Sequence, residues 1–253
     1  MPKIAIVIPV YNEENNIEQV LRDVEALSCA HPAWNILSVV VNDGSTDGTL
    51  LVLAKWYENV RVRVIHHPLN LGIGCAVQTG FQVAQSWGAD VTLQLDGDGQ
   101  HPADQVPRIV NPILAHQAHV VVGSRYFKGA GGLVSTQMRR AGTWFFSQLL
   151  KALVGKRIHD TTSGFRAFDK QASLFISQSY TDDYPEVDAY VGLVRQKFNI
   201  LEVPVAMRAR NAGKSSITPM RIVYYTVKVV FSSILGKYRP IVGGSRNVKK
   251  GIS

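Results

Sequence analysis

Residues 91–100 read Val91-Thr92-Leu93-Gln94-Leu95-Asp96-Gly97-Asp98-Gly99-Gln100, an uncharged and mostly apolar run that ends in two carboxylates. Such a run predicts a strand that is buried in a sheet, with Asp96 and Asp98 projecting from its end. Hard cations such as Mg²⁺ or Mn²⁺ prefer carboxylate oxygens and commonly bridge protein to substrate phosphates. The stretch therefore predicts a divalent metal and a nucleoside diphosphate ligand. A plain Asp-Gly turn is the alternative.

Short apolar runs alternate with helical patterns along the first 125 residues. The alternation is typical of an α/β fold with a mostly parallel central sheet and helices on both faces. In such open sheets, ligands bind beyond the carboxyl ends of the strands. We predict strands at residues 3–8, 36–41, 61–65, 91–95 and 119–122, and helices at 13–27, 46–57, 74–87 and 104–116.

The composition is that of an ordinary globular protein with a sizeable core. The 253 residues are 46% hydrophobic and 18% charged, which is typical of one large domain or two small ones. The two cysteines, Cys29 and Cys75, lack metal-ligand spacing. Residues 1–3 lead straight into the first predicted strand, without a signal-peptide pattern. We therefore expect a cytoplasmic protein.

The net charge of +8 is concentrated near the C-terminus. Residues 195–253 carry 12 Lys and Arg against one acidic residue, whereas residues 1–194 carry 15 against 18. A basic segment of this kind attracts an anionic membrane surface, a phosphate-bearing substrate or nucleic acid, and a solvated basic tail is the alternative. The basic tail at the end of this segment lacks the interleaved aromatic residues that stack on bases, so we expect no nucleic-acid partner.

Polar loops follow the first three predicted strands, at residues 9–16, 42–49 and 70–74. Asn12 and Ser45 or Thr46 are candidate helix caps. Asp43 precedes the capping residues and is a candidate acceptor of hydrogen bonds from a nucleobase or ribose. The third loop is not a dinucleotide-binding fingerprint, because Val77 stands where its third glycine belongs.

Six short motifs stand out along the chain. They are Ile8-Pro9-Val10-Tyr11-Asn12-Glu13, Val41-Asn42-Asp43-Gly44-Ser45-Thr46-Asp47, Asn70-Leu71-Gly72, Leu95-Asp96-Gly97-Asp98-Gly99-Gln100-His101-Pro102, Gly123-Ser124-Arg125 and Asp160-Thr161-Thr162-Ser163-Gly164-Phe165-Arg166. The first four together resemble the motifs of the family 2 glycosyltransferases, which are inverting enzymes with the GT-A fold. The last two resemble the dolichol-phosphate mannose synthase branch and its bacterial polyprenyl-phosphate relatives. The resemblance covers roughly residues 3–216.

The resemblance implies a donor site for a nucleotide-diphosphate sugar. Its nucleoside pocket would be lined by Pro9, Tyr11, Glu13 and Asp43. Asp96, Asp98 and Gln100 would surround the diphosphate and a bound Mg²⁺ or Mn²⁺, which offsets the charge of the leaving diphosphate as a Lewis acid. We interpret His101 as a loop residue that packs against the site, rather than as a metal ligand.

The acceptor side implied by the resemblance is a lipid phosphate. In the mannose synthase branch, two arginines and a nearby hydroxyl hold that phosphate, which corresponds to Arg125, Arg139 and Thr143 here. Arginine forks bind phosphate oxygens in pairs. A solvated helix start is the alternative for Arg139 and its neighbour Arg140. Ser163, Arg166 and Lys214 are further candidates, and Lys214 alternatively lies in a plain glycine-containing loop after an edge strand.

The need for a catalytic base depends on the acceptor. A phosphate oxyanion is already nucleophilic, so its attack requires positioning and charge neutralisation more than proton removal. A saccharide hydroxyl acceptor requires a base, and Glu186 or Asp188 is the candidate. The alternative for these two residues is the start of a helix that reaches residue 197.

The C-terminal region predicts a peripheral helix. Residues 217–235 are apolar and aromatic but are interrupted by Pro219, Arg221 and Lys228, so no run reaches the about 20 residues that span a bilayer. We predict a catalytic domain at 1–216 and a basic amphipathic helix and tail at 217–253, on the cytoplasmic membrane face. Packing against the catalytic domain, a small membrane protein or a second subunit is the alternative.

The expected reaction is transfer of a sugar from a nucleotide donor to undecaprenyl or dolichyl phosphate during envelope glycan synthesis. Transfer to a saccharide hydroxyl in polysaccharide assembly is the second hypothesis. A non-catalytic nucleotide-sugar-binding protein is the third, and the pair Asp96 and Asp98 together with the arginine cluster disfavours it.

Overall fold

The computed structural model of the protein describes residues 1–126, 144, 147, 148, 150–152, 155, 158–179 and 185–208, and at residues 179 and 185–188 it describes the backbone alone. The predicted acceptor residues Arg139, Thr143 and Lys214 lie outside these residues. So does the predicted C-terminal helix and tail at 217–253.

Seven strands form one sheet, in the spatial order β3-β2-β1-β4-β6-β5-β7. Strand β6 runs antiparallel to its neighbours β4 and β5, whereas the other pairs are parallel. The predicted mostly parallel sheet is therefore confirmed. The strands are β1 (Lys3–Val10), β2 (Asn35–Asp43), β3 (Val62–His67), β4 (Val91–Gln94), β5 (Val120–Ser124), β6 (Arg166–Asp169) and β7 (Ile200–Pro204).

Helices connect the strands, and most lie close to where the hydrophobic periodicity predicts them. Helix α1 begins at Ile17 rather than at residue 13, because residues 11–16 form a loop in which Asn12 has a φ of 55°. The described helices are α1 (Ile17–Ala30), α2 (Thr49–Ala54), α3 (Ile73–Trp87), α4 (Val106–Leu114), α5 (Lys170–Ser179) and α6 (Pro185–Arg195), with a 3₁₀ helix (Ala103–Gln105) before α4.

The central strand β1 is buried on both of its faces. Ile4, Ile6 and Ile8 belong to one hydrophobic core, in which α1 and α4 pack against the sheet. Val7 faces the opposite core, where it meets α3 and its buried residue Phe81. Helices therefore cover both faces of the sheet, as the continuous apolar strands predict.

Strand β6 was not predicted from the sequence, and it shapes the carboxyl edge of the sheet. Because β6 is antiparallel to β4 and β5, its first residue, Arg166, pairs with Gln94 and Val122 near the ends of those strands. The loop that precedes β6 therefore arrives at the edge where β4 and β5 finish. This placement brings residues 158–165 to the candidate site.

Among the described residues, no helix combines the length and the apolar character that crossing a bilayer requires.

Close packing of α3 on β1 depends on Gly80, and this gives a test of the fold. A methyl group at residue 80 would overlap with Val7 Cγ1. We expect Gly80→Ala to lower the free energy of unfolding by about 1–3 kcal/mol, because overpacking outweighs the gain in helix propensity. In a Val7→Ala background, Gly80→Ala should instead raise the free energy of unfolding, since the Cγ1 atom that the new methyl group would meet is absent. Urea unfolding of the four proteins measures this, and an equal loss in both backgrounds would contradict it.

Candidate active site

Asp96 lies at the carboxyl end of β4, in the centre of the sheet. Its side chain is 30% exposed. One carboxylate oxygen, Oδ1, is buried and accepts no hydrogen bond from the described residues. Gly164, in the loop before β6, leaves room for it, since a Cβ at that position would lie 2.8 Å from Asp96 Oδ1. Asp96 Oδ1 is therefore a buried oxygen at the carboxyl edge of the sheet to which no described residue donates a hydrogen bond.

The loop after Asp96 is held by its own polar groups. Asp98 Oδ1 accepts the backbone N–H of Gln100 at 3.0 Å. Nδ1 of His101 accepts the backbone N–H of Asp96 at 3.2 Å, and the His101 ring stacks on Phe165 with centroids 5.0 Å apart. His101 is therefore a buried packing residue of the loop, as predicted. The carbonyl of Gln100 accepts the backbone N–H of Arg208, so the chain beyond β7 also reaches this loop.

The carboxylates of Asp96 and Asp98 fit the ligand preferences of Mg²⁺ or Mn²⁺. Within the described ranges, no group of three or more His, Cys, Asp or Glu side chains is arranged to hold a metal ion. A pair of carboxylates is nevertheless a common protein contribution for Mg²⁺, which usually keeps several waters and binds substrate phosphates. The buried oxygen of Asp96 without a hydrogen bond is the observation that supports such a cation.

Arg125 lies directly after β5 and forms a two-point ion pair with Asp160. Its Nε and Nη2 donate to the Asp160 carboxylate at 2.8 and 2.9 Å, and its backbone N–H donates to the same group at 3.0 Å. Nη2 also donates to Thr162 Oγ1. The Asp160 side chain is fully buried, whereas that of Arg125 is 21% exposed. Among the described residues, none makes a hydrogen bond with Nη1 of Arg125.

The surroundings of Arg125 keep its guanidinium charged. Burial alone lowers its pKa, but the hydrogen bonds and the negative charge of Asp160 outweigh that effect, with smaller contributions from Tyr126 and Asp96. The pKa therefore lies above its ordinary value. Asp96 follows β4 and Arg125 follows β5, and the ends of both strands pair with Arg166 of β6, so the donor and acceptor candidates lie at the same edge of the sheet.

Ser163 and Arg166 were predicted to contribute to the acceptor phosphate site, but both side chains face the protein interior, so these two predictions are corrected. Ser163 is buried, and its hydroxyl donates to the carbonyl of Gly123 at 2.7 Å. Its proton is therefore used within the protein. Arg166 is fully buried between β4 and α6, where Nη2 donates to Gln94 Oε1 and the guanidinium lies 5.7 Å from the ring centre of Tyr190. Neither side chain reaches the surface where a phosphate would bind.

Cross-loop hydrogen bonds join the segments after β1 and β2. Asn12 donates its backbone N–H to Ser45 Oγ and accepts the backbone N–H of Thr46 on its side-chain oxygen. These residues therefore link two loops, and the predicted helix-capping role is wrong. In the same region, burial raises the pKa of the Asp47 carboxyl, but hydrogen bonds from Thr49 and the backbone of Glu14 outweigh this and hold the pKa below its ordinary value.

The predicted nucleoside-binding residues of β1 and its loop lie at this linked edge. Pro9 is a buried residue of β1, and Tyr11 is 43% exposed at the rim. Glu13 is buried, with its backbone N–H donated to Thr49 Oγ1 and its carboxylate accepting Asn16 Nδ2. Tyr11 is thus placed to contact a ligand directly, whereas Glu13 supports the loop.

Asp43, at the end of β2, supports the neighbouring loop. Its Oδ1 accepts the backbone N–H of Leu71 and Nδ1–H of His67, and its Oδ2 accepts the backbone N–H of Gly72. His67 Nε2 in turn lies 3.0 Å from Thr79 Oγ1 on α3. The Asp43 side chain is only 4% exposed, so little of it remains accessible to a nucleoside.

Three important residues received no role from the sequence. Asp160 lies in the quoted motif of residues 160–166, which was the one available signal for it. His67 and Glu202 carried no signal, because their partners are 24 and more than 40 residues away in the sequence. Asp188 lies in the first turn of α6, in agreement with the helix start that the sequence offered as the alternative for this residue. Its role as a base stays a prediction.

The comparisons with known proteins agree with this architecture. The sequence model described as glycosyl transferase family 2 matches residues 5–175. The chain belongs to glycosyl transferase family 2. The predicted family and its class of enzyme are therefore confirmed.

Two relatives of this family 2 member come from the branch that the motifs predict. A UDP-N-acetylglucosamine–dolichyl-phosphate N-acetylglucosaminyltransferase of Methanococcus voltae is 31% identical over 217 residues, covering 80% of this chain and 84% of the relative. A polyprenol monophosphomannose synthase of Mycolicibacterium smegmatis is 29% identical over 246 residues, covering 92% and 87%.

A solved structure confirms the GT-A fold. The glucosyl-3-phosphoglycerate synthase of Mycobacterium tuberculosis, in complex with Mn²⁺, uridine-diphosphate-glucose and phosphoglyceric acid, matches with a TM-score of 0.70 at 19% identity. The match covers 96% of this chain and 82% of that chain. At this identity the likeness shows the fold alone.

The His67–Asp43 hydrogen bond gives a prediction about the donor edge. His67→Phe keeps an aromatic ring but removes a donor to a buried carboxylate, so we expect the free energy of unfolding to fall by about 1–3 kcal/mol. His31→Phe is the control, because the His31 ring stacks on Trp34 and makes no ion pair; we expect it to change stability by about 0.5 kcal/mol or less. Urea unfolding at neutral pH measures both. Equal effects of the two substitutions would contradict the prediction.

Proposed function

We propose that the protein is an inverting glycosyltransferase that moves a sugar from a nucleotide-diphosphate sugar to a polyprenyl phosphate. The observation that carries the proposal is Arg125, whose guanidinium is oriented by a two-point ion pair with Asp160 and whose side chain stays 21% exposed at the carboxyl edge of the sheet. The names of the relatives from Methanococcus voltae and Mycolicibacterium smegmatis, a dolichyl-phosphate and a polyprenol transferase, support the same acceptor class.

The donor nucleoside binds at the linked loops after β1, β2 and β3. Tyr11 is the exposed aromatic residue at this rim, and Asp43 contributes its remaining acceptor capacity. Pro9 and Glu13 shape the pocket from beneath. The hydrogen bonds between Asn12 and residues 45–46 hold the two loops at a fixed separation before the donor arrives, which reduces the ordering cost of binding.

The donor diphosphate lies next to the loop of residues 96–100. Asp96 and Asp98 would hold a Mg²⁺ or Mn²⁺, and Gln100 lies beside them. When bound, such a cation offsets the negative charge that develops on the leaving diphosphate. The buried oxygen of Asp96 supports this assignment, because an ionised carboxylate oxygen without a hydrogen-bond donor is costly to bury unless a cation compensates it.

The acceptor phosphate binds to Arg125 with help from Arg139, Thr143 and Lys214. Arg125 remains charged and its orientation is set before binding, so it can place a phosphate oxygen for attack on the anomeric carbon. The phosphate oxyanion needs no deprotonation, so neither Glu186 nor Asp188 is required as a base. Attack from the face opposite to the leaving diphosphate inverts the configuration and gives a β-linked product from an α-linked donor.

The acceptor lipid implies a membrane surface. Residues 195–253, with 12 basic residues and one acidic residue, would bind the anionic cytoplasmic face peripherally, and a small membrane protein or a second subunit is an alternative partner for this region.

Product analysis tests the proposed reaction. We expect purified protein, incubated with Mg²⁺ or Mn²⁺, undecaprenyl phosphate and a panel of nucleotide sugars, to form a lipid-phosphate sugar that mass spectrometry detects. Arg125→Ala should lower the turnover by about 100-fold or more, because it removes the charged phosphate contact.

The same assay separates the phosphate acceptor from a saccharide hydroxyl. The double variant Glu186→Gln and Asp188→Asn should retain lipid-phosphate product, since no base is needed. Donor hydrolysis without lipid product, under conditions in which the protein is folded, would show that the acceptor is not a polyprenyl phosphate.

The carboxylate pair gives a metal prediction with a readout besides turnover. Asp98→Asn should lower turnover by about 100-fold or more and weaken Mn²⁺ binding in the presence of the nucleoside diphosphate, as followed by electron paramagnetic resonance. Asp104→Asn, an exposed acidic residue six positions later, should change neither. Full turnover and unchanged Mn²⁺ affinity in Asp98→Asn would refute the metal role of Asp98.

A further inference from the structure

A single carboxylate on β7 receives three hydrogen-bond donors from the loop that carries Asp160. Glu202 Oε1 accepts the backbone N–H groups of His159 and Asp160 at 2.9 and 3.0 Å. Its Oε2 accepts the His159 backbone N–H and His159 Nδ1–H, both at 2.8 Å. The Glu202 side chain is only 8% exposed. These bonds fix two successive peptide units of the loop relative to β7.

The fixed peptide units determine where the Asp160 side chain points. Asp160 is fully buried, and its carboxylate accepts the backbone N–H, Nε and Nη2 of Arg125. Arg125 follows β5, and β5 pairs directly with β7 in parallel register, with Val122 opposite Glu202. The contacts therefore run from β7 through residues 159–160 to Asp160 and back to the end of β5.

We propose that Glu202 is a positioning residue for the acceptor phosphate, acting through the backbone of residues 159–160 and the side chain of Asp160 to hold the Arg125 guanidinium in its binding orientation. This inference rests on the proposed function in one respect, because the effect on acceptor affinity can be measured only if the acceptor is a polyprenyl phosphate. Its structural part, the orientation of Arg125, is testable without any substrate.

The chemistry requires a carboxylate at residue 202. Three N–H donors converge on it, and both of its oxygens accept. A glutamine side chain has a single acceptor oxygen. Its NH2 group is a donor and cannot accept the N–H groups of the loop. Glu202→Gln therefore leaves donors of the loop unsatisfied while it preserves side-chain length and shape. The loop can then release Asp160 from its position against Arg125.

The first measurement compares steady-state kinetics of Glu202→Gln and the wild type. We expect the KM for undecaprenyl phosphate to rise about tenfold, with the KM for the nucleotide sugar unchanged, because β7 and the strands β1 to β3 lie on opposite sides of the sheet. The matched control is Asp90→Asn. Asp90 also accepts a backbone N–H from a distant segment, that of Lys3, but it precedes β4 and so lies at the amino ends of the strands, away from the candidate site, and both KM values should stay unchanged.

The dependence on Arg125 is tested by a double-mutant cycle. In an Arg125→Lys background, which keeps a charge but loses the two-point pair with Asp160, Glu202→Gln should raise the acceptor KM by less than twofold. A tenfold rise in both backgrounds would show that Glu202 acts independently of Arg125 and would overturn the inference.

The second measurement uses the protein without substrates. The Nε–H of Arg125 donates to a buried carboxylate, so its hydrogen exchange, followed by ¹⁵N NMR at the arginine side chain, should be slow in the wild type and at least tenfold faster in Glu202→Gln. Asp90→Asn should leave it slow. Unchanged exchange in a folded Glu202→Gln variant would overturn the inference. Absence of any lipid product with the wild type would instead reject the proposed function, and the exchange rate would still decide the role of Glu202.

Discussion

The ion pair between Arg125 and Asp160 determines how the carboxyl edge of the sheet is organised. A fully buried carboxylate is unfavourable unless charge and hydrogen bonds compensate it, and Arg125 supplies both through three N–H donors. The pair joins the end of β5 to the loop before β6. The Arg125 side chain nevertheless stays 21% exposed, whereas Asp160 is fully buried. Arg125 therefore belongs both to a structural ion pair and to the candidate phosphate site.

The donor and acceptor parts of this edge are built by different means. On the donor side, loops after parallel strands are joined through small polar side chains such as Asn12 and Ser45, and through Asp43, which binds the next loop. On the acceptor side, buried charges and the antiparallel strand β6 bring residues 158–165 to the edge. The 96–100 loop lies between the two parts. This division suits a reaction in which the nucleoside of the donor binds on one side of the 96–100 loop and the acceptor binds on the other.

Membership of glycosyl transferase family 2 fixes the class of enzyme. The fold by itself does not fix the acceptor, because one fold can carry many different sites. The acceptor therefore has to be argued from particular side chains. Here those are Arg125 and the buried network behind it, since Ser163 and Arg166 use their polar groups inside the protein.

The sequence by itself determined the parallel strands, the helices that cover them and the motif loops at their ends, because these depend on local hydrophobic periodicity and short-range turn chemistry. The apolar run of residues 91–95 predicted that Asp96 and Asp98 lie at the end of a buried strand, whereas the role of Arg125 was predicted from the resemblance of its motif to those of the family. The start of α1, the insertion of antiparallel β6 and the inward direction of Ser163 and Arg166 were decided by the tertiary structure. So were the partners Asp43–His67 and Glu202–His159. Each of these depends on atoms brought together from positions 24 or more residues apart, and no local pattern in the chain encodes which distant donor will satisfy a buried carboxylate.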